Sequence, residues 1–207
     1  MGFQSEQEQF WAGCFGDEYC DRVSGDKFLA FSTYLFSNII RPTCDINSVL
    51  EFGANIGLNL RALQSFMPSL ELSAIEINPK ASALLKKIRN IKHVYEQSIL
   101  DYRPDYQRDL VLIKTVLIHI NPDYLQKVYE LLYKASCKYI CIVEYYSPTP
   151  LTVEYRGHSE KLFKRDFAGE ILDKYEDLKL IDYGFFYHRD NNFPVDDINW
   201  FLLKKNN

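Results

Sequence analysis

Val49-Leu50-Glu51-Phe52-Gly53-Ala54-Asn55-Ile56-Gly57 reads as a strand running into a tight glycine turn, and Leu58-Asn59-Leu60-Arg61-Ala62-Leu63 then switches to helical spacing. Ser48 to Phe52 is apolar enough for one buried parallel strand. Gly53 and Gly57 can take backbone angles closed to other residues, and unpaired N–H groups at a helix start suit a carboxylate or phosphate. Moving outward, a second apolar run from Leu70 to Ile77 carries Glu76 at its end, 76 − 57 = 19 positions past the last glycine. An acid about 20 residues on, at the tip of the second strand, is placed to accept both hydroxyls of a ribose. The spacing fits a nucleoside ligand.

The glycine pattern narrows which one. A dinucleotide turn needs Gly-x-Gly-x-x-Gly, but position 55 is Asn; a P-loop ends in Gly-Lys-Ser/Thr, but the chain has Gly57-Leu58-Asn59. Glu51 ahead of the turn repels a phosphate and suits an ammonium group. This combination resembles the first two motifs of class I S-adenosylmethionine-dependent methyltransferases. The resemblance implies that Glu51, Gly53, Ala54, Asn55 and Gly57 hold the amino-acid end of S-adenosylmethionine, the product being S-adenosylhomocysteine. It implies that Glu76 and Ile77 hold the ribose and that Ser98-Ile99-Leu100-Asp101 flanks the adenine. Asp101 fits a turn former equally well. Thr115, near the end of the fourth strand, completes the expected cofactor set.

The remaining elements extend the pattern. Lys92 to Gln97, Asp109 to Ile118 and Tyr139 to Tyr145 read as further strands, with helices from Asn78-Pro79 to about Arg89 and from Asn121-Pro122-Asp123 to about Ala135. Lys114 interrupts the fourth strand. Alternating strands and helices call for a doubly wound parallel α/β sheet with helices on both faces. Lys179 to Tyr187 and Ile198 to Lys205 follow without a proper helix between them, as an antiparallel pair would. The expected fold is therefore a seven-stranded, mainly parallel sheet ending in an antiparallel hairpin, as in the methyltransferase fold it resembles.

With 207 residues the chain suits one domain burying about 70% of its unfolded surface, here residues 1–42 as an N-terminal extension and 43–207 as the cofactor-binding core. Lys plus Arg 24 against Asp plus Glu 28 leaves a net charge of −4, which gives no overall basic field for nucleic acid or an anionic membrane. No apolar run approaches the roughly 20 residues of a membrane span, and the polar start Gln4-Ser5-Glu6-Gln7-Glu8-Gln9 lacks signal-peptide character. A cytoplasmic protein is expected. Cysteines 14, 20, 44, 137 and 141 have no Cys-x-x-Cys spacing, so free thiols and no metal centre are expected.

The extension carries a helical pattern from Lys27 to Ile40 and, before it, Phe10-Trp11-Ala12-Gly13-Cys14-Phe15-Gly16-Asp17-Glu18-Tyr19. These aromatics suit either packing across the sheet or a lid that excludes water from the cofactor. Residues 148–167 read as a polar loop at the ligand edge, rich in Tyr, Arg and His. Together with the N-terminal aromatics and Tyr187-His188-Arg189-Asp190, it resembles the methylases encoded alongside pseudaminic acid biosynthesis; Arg156-Gly157-His158-Ser159 and Lys164-Arg165-Asp166-Phe167 carry that match. The expected activity is methyl transfer to a small polar acceptor, an anionic sugar or nucleotide sugar. A cofactor-binding protein without catalysis is the alternative, and a nucleic-acid methyltransferase a third, though the fourth strand lacks an Asp/Asn-Pro-Pro-aromatic signature. His158 is the expected base, histidine being the side-chain type suited to proton transfer near neutral pH; His119, which also suits a structural role, and Tyr155 stand near it. Arg156, Tyr145, Trp11 and Tyr19 are expected to hold the acceptor.

Overall fold

The computed structural model describes residues 2–206 and opens with three helices, α1 (Glu6–Ala12), α2 (Cys14–Arg22) and α3 (Asp26–Ile39). Ser5 caps α1 through a reciprocal pair of bonds with Glu8, each 3.2 Å long. The chain then alternates through β1 (Ser48–Phe52), α4 (Leu58–Phe66), β2 (Glu71–Glu76), α5 (Pro79–Leu85), β3 (Ile91–Glu96), β4 (Arg108–Lys114), α6 (Leu125–Ala135) and β5 (Ser136–Glu144). It finishes with β6 (Leu151–Tyr155), β7 (His158–Lys164), α7 (Phe167–Lys174), β8 (Leu178–Phe186) and β9 (Ile198–Lys205).

Seven strands form one sheet in the order β3-β2-β1-β4-β5-β9-β8, with β9 antiparallel to both neighbours and the first five parallel. This is the expected doubly wound sheet with its reversed C-terminal pair. Alternation along the strands gives it two apolar faces. Leu50, Phe52, Val111, Ile113, Ile140 and Ile142 pack under α6 and α7; Val49, Leu72, Leu110, Leu112, Cys141 and Leu202 pack under α3 and α4. From β1 the chain winds outward through β2 to β3, then returns to β4 on the other side of β1. A crevice opens where the direction reverses, beyond the carboxyl ends of β1 and β4.

Three elements depart from the expected ones. The fourth strand ends at Lys114 instead of Ile118: Thr115 takes a positive φ of 52°, and Leu117–His119 forms a 3-10 turn. The Glu144 carboxylate accepts the amides of Val116 at 2.9 Å and Leu117 at 2.8 Å, replacing the strand partners those groups would otherwise need. The helix expected to reach Arg89 stops at Leu85. Finally, residues 148–167 are not a loop throughout: β6 and β7 form a separate antiparallel hairpin. Its two-residue turn, Arg156-Gly157, has φ of 51° and 81°, matching the twist of tightly turned hairpins.

All five cysteines are free, two of them buried. Among the described residues no helix is long and apolar enough to cross a membrane, and no group of three or more His, Cys, Asp or Glu is placed to hold a metal ion.

Candidate active site

The crevice at the sheet's reversal continues into a cavity of about 920 Å³ roofed by α1 and α2. That is within the range of about 300–1,000 Å³ typical of small-molecule sites. Its floor is the turn after β1. Gly53 N and Ala54 N both donate to the Ile75 carbonyl, at 2.9 and 3.1 Å, so these two amides are already used. Asn55 N donates to Glu76 Oε2 at 2.6 Å, while Glu76 Oε1 accepts the Asn78 amide at 2.8 Å. Glu76 thus fixes the turn and keeps further lone pairs on each oxygen for a ligand. Burial pushes its pKa up, against the pull of these amides.

Gly57 has a φ of 79°, and a side chain there would collide with Ile88 and Leu85, so packing beneath the turn as well as backbone angle demands glycine. At Gly53, with a φ of 72°, a Cβ would come 2.6 Å from Val116 Cγ2 on the loop after β4. Among the described residues, the amides of Leu58 and Asn59 at the start of α4 have no acceptor. The Ile56 amide is free as well, so the free donors of the motif flank the second glycine.

The roof is tied down along its length. Glu8 is buried; its carboxylate takes the Ser98 hydroxyl and the Gln4 and Ser5 amides. Gln4 Nε2 reaches Asp101 at 2.7 Å and Gln7 Nε2 reaches the Glu160 carbonyl at 2.9 Å. Asn78 Nδ2 joins Asp17 at 2.9 Å and the Trp11 carbonyl at 3.3 Å. Two buried polar atoms of this roof, Gln7 Oε1 and Trp11 Nε1, have no partner, on residues that both line the cavity. Such atoms are expensive to leave unpaired.

His119 stands on the 3-10 turn beneath Trp11 and Tyr155, its ring 4.7 and 4.9 Å from theirs between centroids. Nδ1 lies 2.5 Å from the Lys161 carbonyl, which can only accept, so Nδ1 carries the proton and Nε2 keeps a lone pair. Burial lowers the pKa to about 4. The ring is uncharged at neutral pH. Tyr19, whose pKa burial pushes up to about 12, and Tyr145, whose hydroxyl donates to Asp196 at 2.6 Å, also line the cavity. Lys27, Arg156 and Lys164 add three basic side chains to the lining, with Lys164 Nζ 5.0 Å from the Tyr145 ring centre.

Of the expected site residues, Gly53, Asn55, Glu76, Ile77, Ser98, Ile99, Thr115, His119, Tyr155, Arg156, Tyr145, Trp11 and Tyr19 all line this one cavity. Glu51, Ala54, Gly57 and His158 do not. Glu51 lies one shell back, buried, with Oε1 accepting Asn59 Nδ2 at 2.6 Å. His158 is exposed on the hairpin and packs against the Phe10 and Phe15 rings, at 5.0 and 5.9 Å, so it is a buttress of the roof. Sequence reasoning missed Asn59 and the roof residues Gln7 and Glu8 as cavity groups. It noted Lys114 only as an interruption of the fourth strand and did not place it in the cavity, though a lysine inside an apolar strand was a visible signal.

No family model and no curated protein matches the chain. Solved structures do resemble it. A SAM-dependent methyltransferase from Leishmania major superposes with a TM-score of 0.70 at 15% identity, covering 96% of this chain and 82% of that one. The 1,6-didemethyltoxoflavin-N1-methyltransferase of Burkholderia thailandensis, solved with 1,6-didemethyltoxoflavin and S-adenosylhomocysteine bound, gives 0.67 at 13% identity over 97% and 87%. The plantazolicin methyltransferase, in complex with a pentazolic desmethylPZN analogue and S-adenosylhomocysteine, gives 0.64 at 16% identity over 97% and 95%. At these identities the likeness establishes the Rossmann-like methyltransferase fold.

Proposed function

We propose that this chain is a methyltransferase that uses S-adenosylmethionine to methylate a small polar acceptor. One arrangement carries this reading: a neutral His119 with a free Nε2, in the same cavity as the Glu76-pinned turn. The residues present fit the cofactor. Glu76 has lone pairs for the ribose hydroxyls, the Leu58 and Asn59 amides are free, and the roof holds unpaired polar atoms over the space between. Two of the similar structures were solved with S-adenosylhomocysteine bound, which supports the choice of cofactor.

When bound, S-adenosylmethionine supplies a methyl group on a sulfonium, an electrophile that needs no metal. The protein's part is placement and proton removal. Trp11, Tyr19 and Tyr155 wall the region around His119 and exclude water. His119 Nε2 would take the acceptor proton as the methyl group leaves sulfur for the acceptor atom, the carbon–sulfur bond breaking to release neutral S-adenosylhomocysteine, and the Lys161 carbonyl would steady the imidazolium through Nδ1–H. His119 thus replaces His158 as the base. Lys27, Arg156 and Lys164 favour an anionic acceptor, with the Arg156 guanidinium offering a planar fork to a carboxylate or phosphate. A sugar or nucleotide sugar of pseudaminic acid-type glycan synthesis is the finer reading, supported by the Arg156-to-Ser159 and Lys164-to-Phe167 segments.

Calorimetry with S-adenosylmethionine, S-adenosylhomocysteine and NAD tests the cofactor, and a cell extract supplied with protein and isotopically methyl-labelled cofactor tests the reaction. Binding of the first two ligands but not NAD, with label appearing in an anionic small molecule, is expected. Binding with no labelled product would favour a non-catalytic cofactor-binding protein. Label in nucleic acid would overturn the small-molecule acceptor.

A further inference from the structure

Lys114 is the last residue of β4 and lines the cavity, yet it takes part in none of the ion pairs formed by the described residues. Alternation puts its side chain on the sheet face of Leu110 and Leu112, and the register pairs Leu112 with Glu51 of β1, on the same face. Burial pulls its pKa down, and Glu51 is the largest of the charges that act against this, ahead of Glu144 and Asp196. Glu51 in turn is 1% exposed; its Oε1 is held by Asn59 at 2.6 Å, and its Oε2 has no partner. Asn59 lines the cavity in front of Glu51, with its carbonyl oxygen fixed toward the Ser32 hydroxyl at 3.0 Å.

The cavity wall therefore holds, side by side, an ammonium without a carboxylate partner and an amide oxygen backed by a buried acid. The Leu58 and Asn59 amides, also free, open α4 at the same place. A simple anion would satisfy Lys114 and these amides but would offer no donor to the Asn59 oxygen or to the acid behind it. A group bearing a carboxylate and an ammonium on one carbon satisfies all of them. The carboxylate meets Lys114 and the helix start, where backbone donors and the helix dipole favour negative charge. The ammonium meets the Asn59 oxygen, and its charge favours the ionised form of Glu51 behind it, which burial otherwise disfavours.

We infer that Lys114 and Asn59 form the subsite for the α-amino-acid end of the cofactor, with Glu51 acting through Asn59 as a positioning residue. This rests on the S-adenosylmethionine reading above. It moves recognition of the amino-acid end from the glycines themselves to two side chains beside them.

The test uses a ligand pair that differs only at that end: S-adenosylhomocysteine and 5′-methylthioadenosine, titrated calorimetrically into the wild-type protein, Lys114→Met and Asn59→Ala. Lys114→Met should weaken S-adenosylhomocysteine by about tenfold or more, the loss of one charge-assisted contact, and leave methylthioadenosine unchanged. Asn59→Ala should repeat that selective loss. Equal weakening of both ligands would assign Lys114 to the general shape of the pocket, and an unchanged S-adenosylhomocysteine affinity would assign it to the acceptor; each result overturns the inference. A Lys114→Arg variant, which keeps the charge, guards against misfolding: it should retain the discrimination that methionine abolishes. If the wild-type protein binds neither ligand, the cofactor reading fails and the subsite with it. If it binds both and the variants behave like wild type, the subsite alone fails.

Discussion

Burial lowers the His119 pKa to about 4, so the proposed base stays uncharged at every pH above that value while remaining a weak one. General-base help from a positioned side chain is worth about 100-fold to 10,000-fold. His119→Asn should thus slow label transfer by about 100-fold or more while leaving S-adenosylhomocysteine affinity unchanged. The acid limb of the rate profile should fall toward pH 4, below the 6.5 of an ordinary histidine; a limb at the ordinary value would mean that another group takes the proton. Nothing in the sequence ranks His119 above His158. Its tautomer is set by a carbonyl 42 positions away, and His158 is carried outward by a hairpin whose polar residues look like a loop. Glu76 was legible because it and the turn it serves belong to one local motif with fixed spacing.

At the scale of elements, the strand–turn–helix alternation was readable because buried parallel strands are continuous apolar runs and their helices are amphipathic. The β6–β7 hairpin was not, since most of its side chains face solvent and only Leu162 and Phe163 are buried. The packing of α1 on α2 turns on Gly16, where a Cβ would strike the Trp11 carbonyl and come 2.9 Å from Asn78 Nδ2. Gly16→Ala should therefore loosen the roof. Hydrogen exchange across residues 6–22 should accelerate while the sheet strands keep their protection, and S-adenosylhomocysteine should slow exchange there in the wild type. Unaltered exchange in the variant would show that the two helices dock by other contacts. Gly57→Ala tests the floor instead: a positive φ alone costs about 1–3 kcal/mol, and the collision with Ile88 adds to it, so thermal stability should drop.

Across the whole molecule, two acids sit deep in the sheet at opposite sides of β4. Burial pushes Glu51 and Glu144 from the usual 4.5 up to about 8, so between those values the folded chain holds protons the unfolded chain has released. Stability contributed by these groups must then fall as pH rises from about 4.5 to 8. His119, depressed from 6.5 to about 4, adds stability with rising pH only across that lower window. Glu144→Gln keeps an acceptor for the Val116 and Leu117 amides and removes the titration. Its melting temperature relative to wild type should climb steadily from pH 5 to pH 8; a constant difference would mean that Glu144 is ionised throughout. The contacts of α1 have another consequence. Those that tie Gln4 to Asp101, Glu8 to Ser98 and Gln7 to Glu160 span 97, 90 and 153 positions. Each closes a long loop for one or two bonds, a poor bargain until the sheet has already drawn its ends together. The roof is thus expected to dock after the sheet and to open before it, with entry to the cavity by local unfolding; amide exchange across residues 6–22 faster than in β1 and β4 is the measurement that checks it.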